Sequence, residues 1–147
     1  MLSGDLEVAQ YLQSFPKESN LVVSRSLSEP QIYIAFANVW DPVDYQKYAQ
    51  SWDFQSLDVG LVDQIPDYRL GNYNFKGINA DDYTSDSDSI LIGKTGEFPG
   101  AIKPLKVISY HNGRAAILVV KAAELAKFKR LEGDLRKLFF FFLLARP

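Results

Sequence analysis

Apolar and polar positions along the chain alternate in blocks that change period several times, and each block predicts an element. In residues 5–15, Leu6, Ala9, Leu12 and Phe15 recur every three residues, close to a helical period, with Ser3 or Asp5 as cap and Pro16 as stop. Residues 20–25 carry the unbroken run Leu21-Val22-Val23, which predicts a short strand covered on both faces. Ser28-Glu29-Pro30 is a helix start, with serine as cap and proline in the first turn. The helix would carry Ile32, Tyr33, Phe36, Ala37, Val39 and Trp40. Asp41-Pro42 then opens another helix, with Asp41 as cap and Asp44 placed to close a box back to it, running to about Gln50.

The middle of the chain is less regular. Leu57, Val59, Leu61, Val62 and Ile65 fit either a strand or a loop packed on the core, so residues 53–69 stay open. Tyr73 and Phe75 alternate with polar neighbours and predict a strand near 72–79. An acidic, serine-containing loop spans 81–88, and Ser89-Ile-Leu-Ile-Gly93 reads as a buried strand. Gly96 to Pro104 is a turn region. Two apolar runs, 105–110 and 115–120, flank His111-Asn112-Gly113, and Asn-Gly between such runs is a strong hairpin signal.

From Ala122 the period becomes helical again, through Leu125, Phe128, Leu131, Leu135 and Leu138, with Gly133 as a weak point. This helix ends in Phe139-Phe-Phe-Phe-Leu-Leu144, apolar all round. Such an end suits a packed helix terminus, a partner-binding end, the first turns of a membrane span, or sequence foreign to the domain before it. The pattern as a whole predicts an α/β fold: a small layered sheet with flanking helices and a C-terminal β-hairpin followed by a helix. Residues 1–121 form the α/β domain, and 122–147 a helical tail of open origin.

Composition narrows the function classes. With 147 residues, 47% apolar and 23% charged, the chain suits one folded domain. A net charge of −2 and a pI near 5.4 argue against a nucleic-acid partner and give no general attraction to anionic lipid. No cysteine is present, so disulfides, thiolate nucleophiles and cysteine metal sites are excluded; the single histidine, His111, excludes a multi-histidine site. No basic segment leading into an apolar stretch marks the start, and no run approaches the roughly 20 apolar residues of a membrane helix.

Few residues offer chemistry. Gly93-Lys94-Thr95 lacks the glycine of a phosphate loop, since Asp88 stands there. Asp86-Ser-Asp88 with Glu97 has calcium-loop spacing, but Ile90 and Leu91 occupy a ligand position and the turn glycine position. Asp81, Asp82, Asp86 and Asp88 remain candidates for an irregular cation site, against the plainer reading of a solvated loop. Arg25, flanked by Ser24, Ser26 and Ser28 after the first strand, is placed to hold an anionic group. Tyr33, Phe36, Trp40, Tyr45, Tyr48 and Trp52 suit core packing or a sugar-stacking surface, with Tyr48 and Trp52, near a helix end, the candidates for exposure. His111 is expected to be a turn residue. No catalytic residue and no cofactor is implied.

Residues 29–48, with Pro30, Tyr33, Phe36, Asp41, Pro42, Tyr45 and Gln46, resemble a segment of bacterial membrane glycosyltransferases of the protein-mannosyltransferase and aminoarabinose-transferase type. The order of elements agrees over about residues 5–121, through Tyr73-Asn-Phe75, Ile90-Leu-Ile-Gly93 and the hairpin that follows. The resemblance implies the water-exposed domain after the last membrane helix of such an enzyme, on the outer face of the cytoplasmic membrane. Its partners would be the membrane-embedded part of the parent and a polyprenyl-phosphate sugar or glycan acceptor. The family's membrane helices and its catalytic acidic loop have no counterpart here, and the tail from Ala122 matches nothing in it. The resemblance therefore implies an accessory domain that covers the site or helps select the acceptor. A free-standing carbohydrate- or peptide-binding module is the alternative; an independent enzyme is disfavoured because paired catalytic groups are not visible.

Overall fold

The structure, a computed structural model, describes residues 2–79 and 88–144. The mixed α/β layering predicted from the pattern is what forms: a six-stranded sheet with flanking helices, whose last strand leads directly into a C-terminal helix. The elements are α1 (Leu2–Leu12), β1 (Leu21–Ser24), α2 (Pro30–Ala37), α3 (Pro42–Ala49), β2 (Tyr68–Leu70), β3 (Tyr73–Lys76), β4 (Ile90–Lys94), β5 (Lys106–Ser109), β6 (Ala115–Lys121) and α4 (Ala122–Leu144). The strand order is β2-β3-β1-β4-β6-β5. β1 lies parallel to both β3 and β4, and the pairs β2–β3, β4–β6 and β5–β6 are antiparallel.

The central strand β1 is buried at all four positions, as its unbroken apolar run requires. Leu21 and Val23 point to one face with Tyr73, Phe75, Ile90, Ile92, Ile117 and Val119. Helices α1 and α2 and the segment after α3 cover that face through Val8, Leu12, Ile34, Trp52 and Ile65. Val22, Leu91 and Val120 point the other way and meet Phe98, Ala122 and Leu125. Helix α4 begins where β6 ends, and its first turns bury Ala122, Leu125 and Ala126, the first two of them in this second cluster.

Several local expectations are refined. The first helix ends at Leu12, and residues 13–15 form turns before Pro16. Asp41 caps α3 as expected, accepting the Val43 N–H at 2.7 Å, but Asp44 pairs with Lys47 at 2.9 Å instead of closing a box. Ser28 does not cap α2; the cap position is Glu29, in a left-handed conformation with φ 47° and no side-chain bond. Residues 53–67 are turns with one short 3-10 turn at Val62–Gln64, and the open stretch resolves into a strand only at Tyr68. The hairpin around His111 forms, with Gly113 at φ 79° closing the turn by donating to the Tyr110 carbonyl at 2.9 Å.

Candidate functional site

In parallel sheets, ligands collect beyond the carboxyl ends of the strands. Here a cleft of about 480 Å³ opens beyond the end of β1, lined by Arg25, Ser26, Ser28, Gln31, Asp63 and Tyr68 among others. Arg25 stands in it, as the sequence suggested, but its guanidinium is already engaged. It donates to the Pro66 carbonyl at 3.2 Å and to the Asp63 carbonyl, tying the loop after α3 to the strand end. A guanidinium has five N–H donors, so further bonds stay open to it. Deeper in, the Tyr68 hydroxyl donates to Gln31 Oε1 at 2.9 Å, and burial pushes that phenol well above its ordinary range.

Beside the cleft lies a polar cluster that pattern reading does not join. Glu97 accepts the Ser24 hydroxyl at 2.5 Å, the Ser26 hydroxyl at 2.7 Å and the Lys94 N–H at 2.7 Å. Glu97 thus clasps the ends of β1 and β4. Ser24 is fully buried, so its hydroxyl has no route to a substrate. Gly93 makes the clasp fit: a Cβ there would meet Glu97 Oε2 at 2.7 Å and Ile78 at 2.8 Å. Of the acidic-loop candidates, Asp88 is exposed; Asp81, Asp82 and Asp86 lie outside the described residues. Among the described residues no three histidines or carboxylates converge.

A second cleft, of about 560 Å³, lies where the second face of the sheet is left uncovered over β2 and β3. Arg69 and Asn74 are cross-strand partners on that face, joined by Asn20, Asp53, Asp67 and Lys76 at its rim. The Asn74 amide donates to Asn20 Oδ1, and Asn20 in turn donates to Ser89 at 2.8 Å. Hydrogen bonds from the Ser56 hydroxyl and N–H hold the Asp53 carboxyl below its usual range.

The two aromatic candidates part company. Trp52 is only 8% exposed, which corrects the expectation that it lies open at a helix end. Its indole N–H donates to the Arg69 carbonyl at 2.8 Å, closing the free edge of β2, and its ring meets Tyr68 at 4.8 Å. Tyr48 is exposed, with one ring face on Trp40 at 5.3 Å.

The largest exposed apolar side chains of the α2–α3 corner are Phe36 and Val39, at 74% and 88%. A shallow groove of about 660 Å³ runs beside them, past Trp40, Pro42 and Tyr45. The α2 helix ends in a Schellman turn: the Trp40 N–H donates to the Ala35 carbonyl and the Val39 N–H to that of Phe36, both at 3.1 Å. That turn needs a left-handed residue, and Val39 supplies it at φ 50°. Glycine is the usual occupant; a β-branched side chain there is strained by about 1–2 kcal/mol. Sequence reading placed Val39 on the helix and missed this corner. The missed signal is the Asn38-Val39 pair directly before Trp40-Asp41-Pro42, where a helix must stop and restart.

Comparison of the chain with protein-family models, with curated proteins and with solved structures returns no match.

Proposed function

We propose that this chain is an accessory, water-exposed domain of a polyprenyl-phosphate-sugar-dependent membrane glycosyltransferase, docked by its α2–α3 corner on the membrane-embedded part of that enzyme at the outer face of the cytoplasmic membrane. The reading rests on the resemblance of residues 29–48 and on one observation about that same segment. Val39 is strained and 88% exposed, so it contributes almost nothing to the fold that glycine would not improve. An exposed apolar side chain in a strained conformation, beside exposed Phe36, suits a surface that another protein covers. Ile32, about half exposed and one helical turn before Phe36, extends the same face of α2. No helix of the described residues is long and apolar enough to cross a membrane.

The test separates folding from docking. Val39→Gly should raise the stability of the domain by about 1 kcal/mol in urea unfolding. In the enzyme that carries the domain, Phe36→Glu together with Val39→Gly should lower sugar transfer to the acceptor at least tenfold. Unchanged transfer to every acceptor would reject the reading, as would turnover of a sugar donor by the purified polypeptide without membranes.

A second reading, a free-standing carbohydrate-binding module, draws on the polar cleft over β2 and β3. Paired amide, guanidinium and carboxylate groups on a flat sheet suit the vicinal hydroxyls of a sugar. Chemical-shift changes at Asn74 and Arg69 on adding oligosaccharide, abolished by Arg69→Ala, would favour it over the first.

A further inference from the structure

Helix α4 carries two apolar faces that point in nearly opposite directions. Its first turns bury Ala122, Leu125 and Ala126 against the second face of the sheet. Further along, Leu131, Leu135 and Leu138 are 56%, 68% and 57% exposed. At about 100° per residue, this second stripe, with half-buried Phe128, sits roughly 150° around the helix from the first. Beyond Phe128 it faces away from the chain's own sheet and lies exposed.

The stripe has its own period. Positions 128, 131, 135 and 138 alternate spacings of three and four, the seam of a two-stranded coiled coil. Phe139 and Phe141, 70% and 79% exposed, would flank that seam at its far end and widen it. The charges beside the stripe choose the orientation. In a parallel pair, Lys127 faces the second copy's Glu132, five residues on, and the contact occurs twice by symmetry. An antiparallel pair overlapping the whole stripe would instead set Glu132 against Glu132 and Asp134 against Asp134. Glu132 now pairs with Arg136 at 3.0 Å, an exposed contact that is readily given up.

We infer that α4 pairs with a second copy of this chain, parallel and in register, through Phe128, Leu131, Leu135 and Leu138. The sheet packs against Ala122 and Leu125, on the side of α4 away from the seam. The pairing is independent of what the α2–α3 corner binds.

Sedimentation of the full chain over about 1–200 µM tests this. The wild type should associate reversibly to a dimer in the micromolar range, as suits a seam of little more than two heptads. Leu135→Glu, at an exposed site, should leave a folded monomer with unchanged circular dichroism. Lys127→Glu alone and Glu132→Lys alone should each weaken dimerisation roughly tenfold, and the double reversal should restore it. Because the chain lacks cysteine, Leu138→Cys should give a disulfide dimer on mild oxidation only in the parallel register. A wild type that stays monomeric throughout, including one that binds lipid vesicles as a monomer, would overturn the inference. So would association that survives Leu135→Glu or a double reversal that fails to restore it.

Discussion

The two faces of the central sheet are covered in different ways. On one, α1, α2 and the loop after α3 bury a continuous cluster in which the Tyr68 and Phe75 rings stack at 4.8 Å, 11° from parallel, with Trp52 against Tyr68. On the other, a smaller cluster around Leu91, Phe98 and Leu125 covers β1, β4 and β6, while β2 and β3 show Arg69, Asn74 and Lys76 to the open cleft. The larger apolar cluster lies on the first face, and the second keeps a polar surface available. The same strands can do both because side chains alternate: Tyr68 and Leu70 point in while Arg69 points out.

The largest effect should come from the centre of the first face. Phe75→Ala removes a fully buried ring from the stack and should cost about 3–5 kcal/mol in urea unfolding, against about 2–3 for Leu125→Ala in the smaller cluster. Equal losses would mean that the two faces contribute alike. Tyr68→Phe comes next. It leaves the oxygen of buried Gln31 without its donor and should cost about 1–3 kcal/mol.

The same face should govern alkaline behaviour. Burial raises the Tyr68 and Tyr73 hydroxyls above their ordinary value near 10. The folded chain therefore keeps protons that the unfolded chain releases. Stability should hold below about pH 10 and fall as pH climbs toward the folded-state values, less steeply in Tyr68→Phe. Urea midpoints at pH 9 and 11 measure the slope, and an unchanged slope in the variant would remove Tyr68 from the account. The smallest effect is expected on the open face, where Arg69→Ala should lie within about 0.5 kcal/mol of wild type. A loss above 1 kcal/mol there would show that the cleft is part of the scaffold.

Much of the architecture was legible because the signals were local. The run Leu21–Val23, the cap Asp41 with Pro42 after it, and Asn112-Gly113 each specify their element within a few residues. Strand β2 starts inside the stretch left open between strand and loop, although its signal was present: Gly71-Asn72 sits between two alternating stretches as a two-residue hairpin turn. Gly71 is held at φ 62°, with the Trp40 ring 2.9 Å from where a Cβ would lie. Of the candidate site, Arg25 was found in its cleft, but its loop carbonyl partners come from residues 38 and 41 positions away, beyond any spacing rule.

By itself, then, the order of residues determined most of the segments that become helix or strand, that no thiol chemistry is available, and that a hairpin feeds the last helix. Only the tertiary structure decided which way each face points. Trp52 went to the edge of β2 because its indole N–H found the Arg69 carbonyl there, and Glu97 joined Ser24 across 73 residues. It likewise decided which apolar stripe of α4 is covered: the sheet buries the first turns and leaves Leu131, Leu135 and Leu138 exposed. Periodicity along a chain registers that a face is apolar; what covers it depends on contacts between residues far apart in sequence.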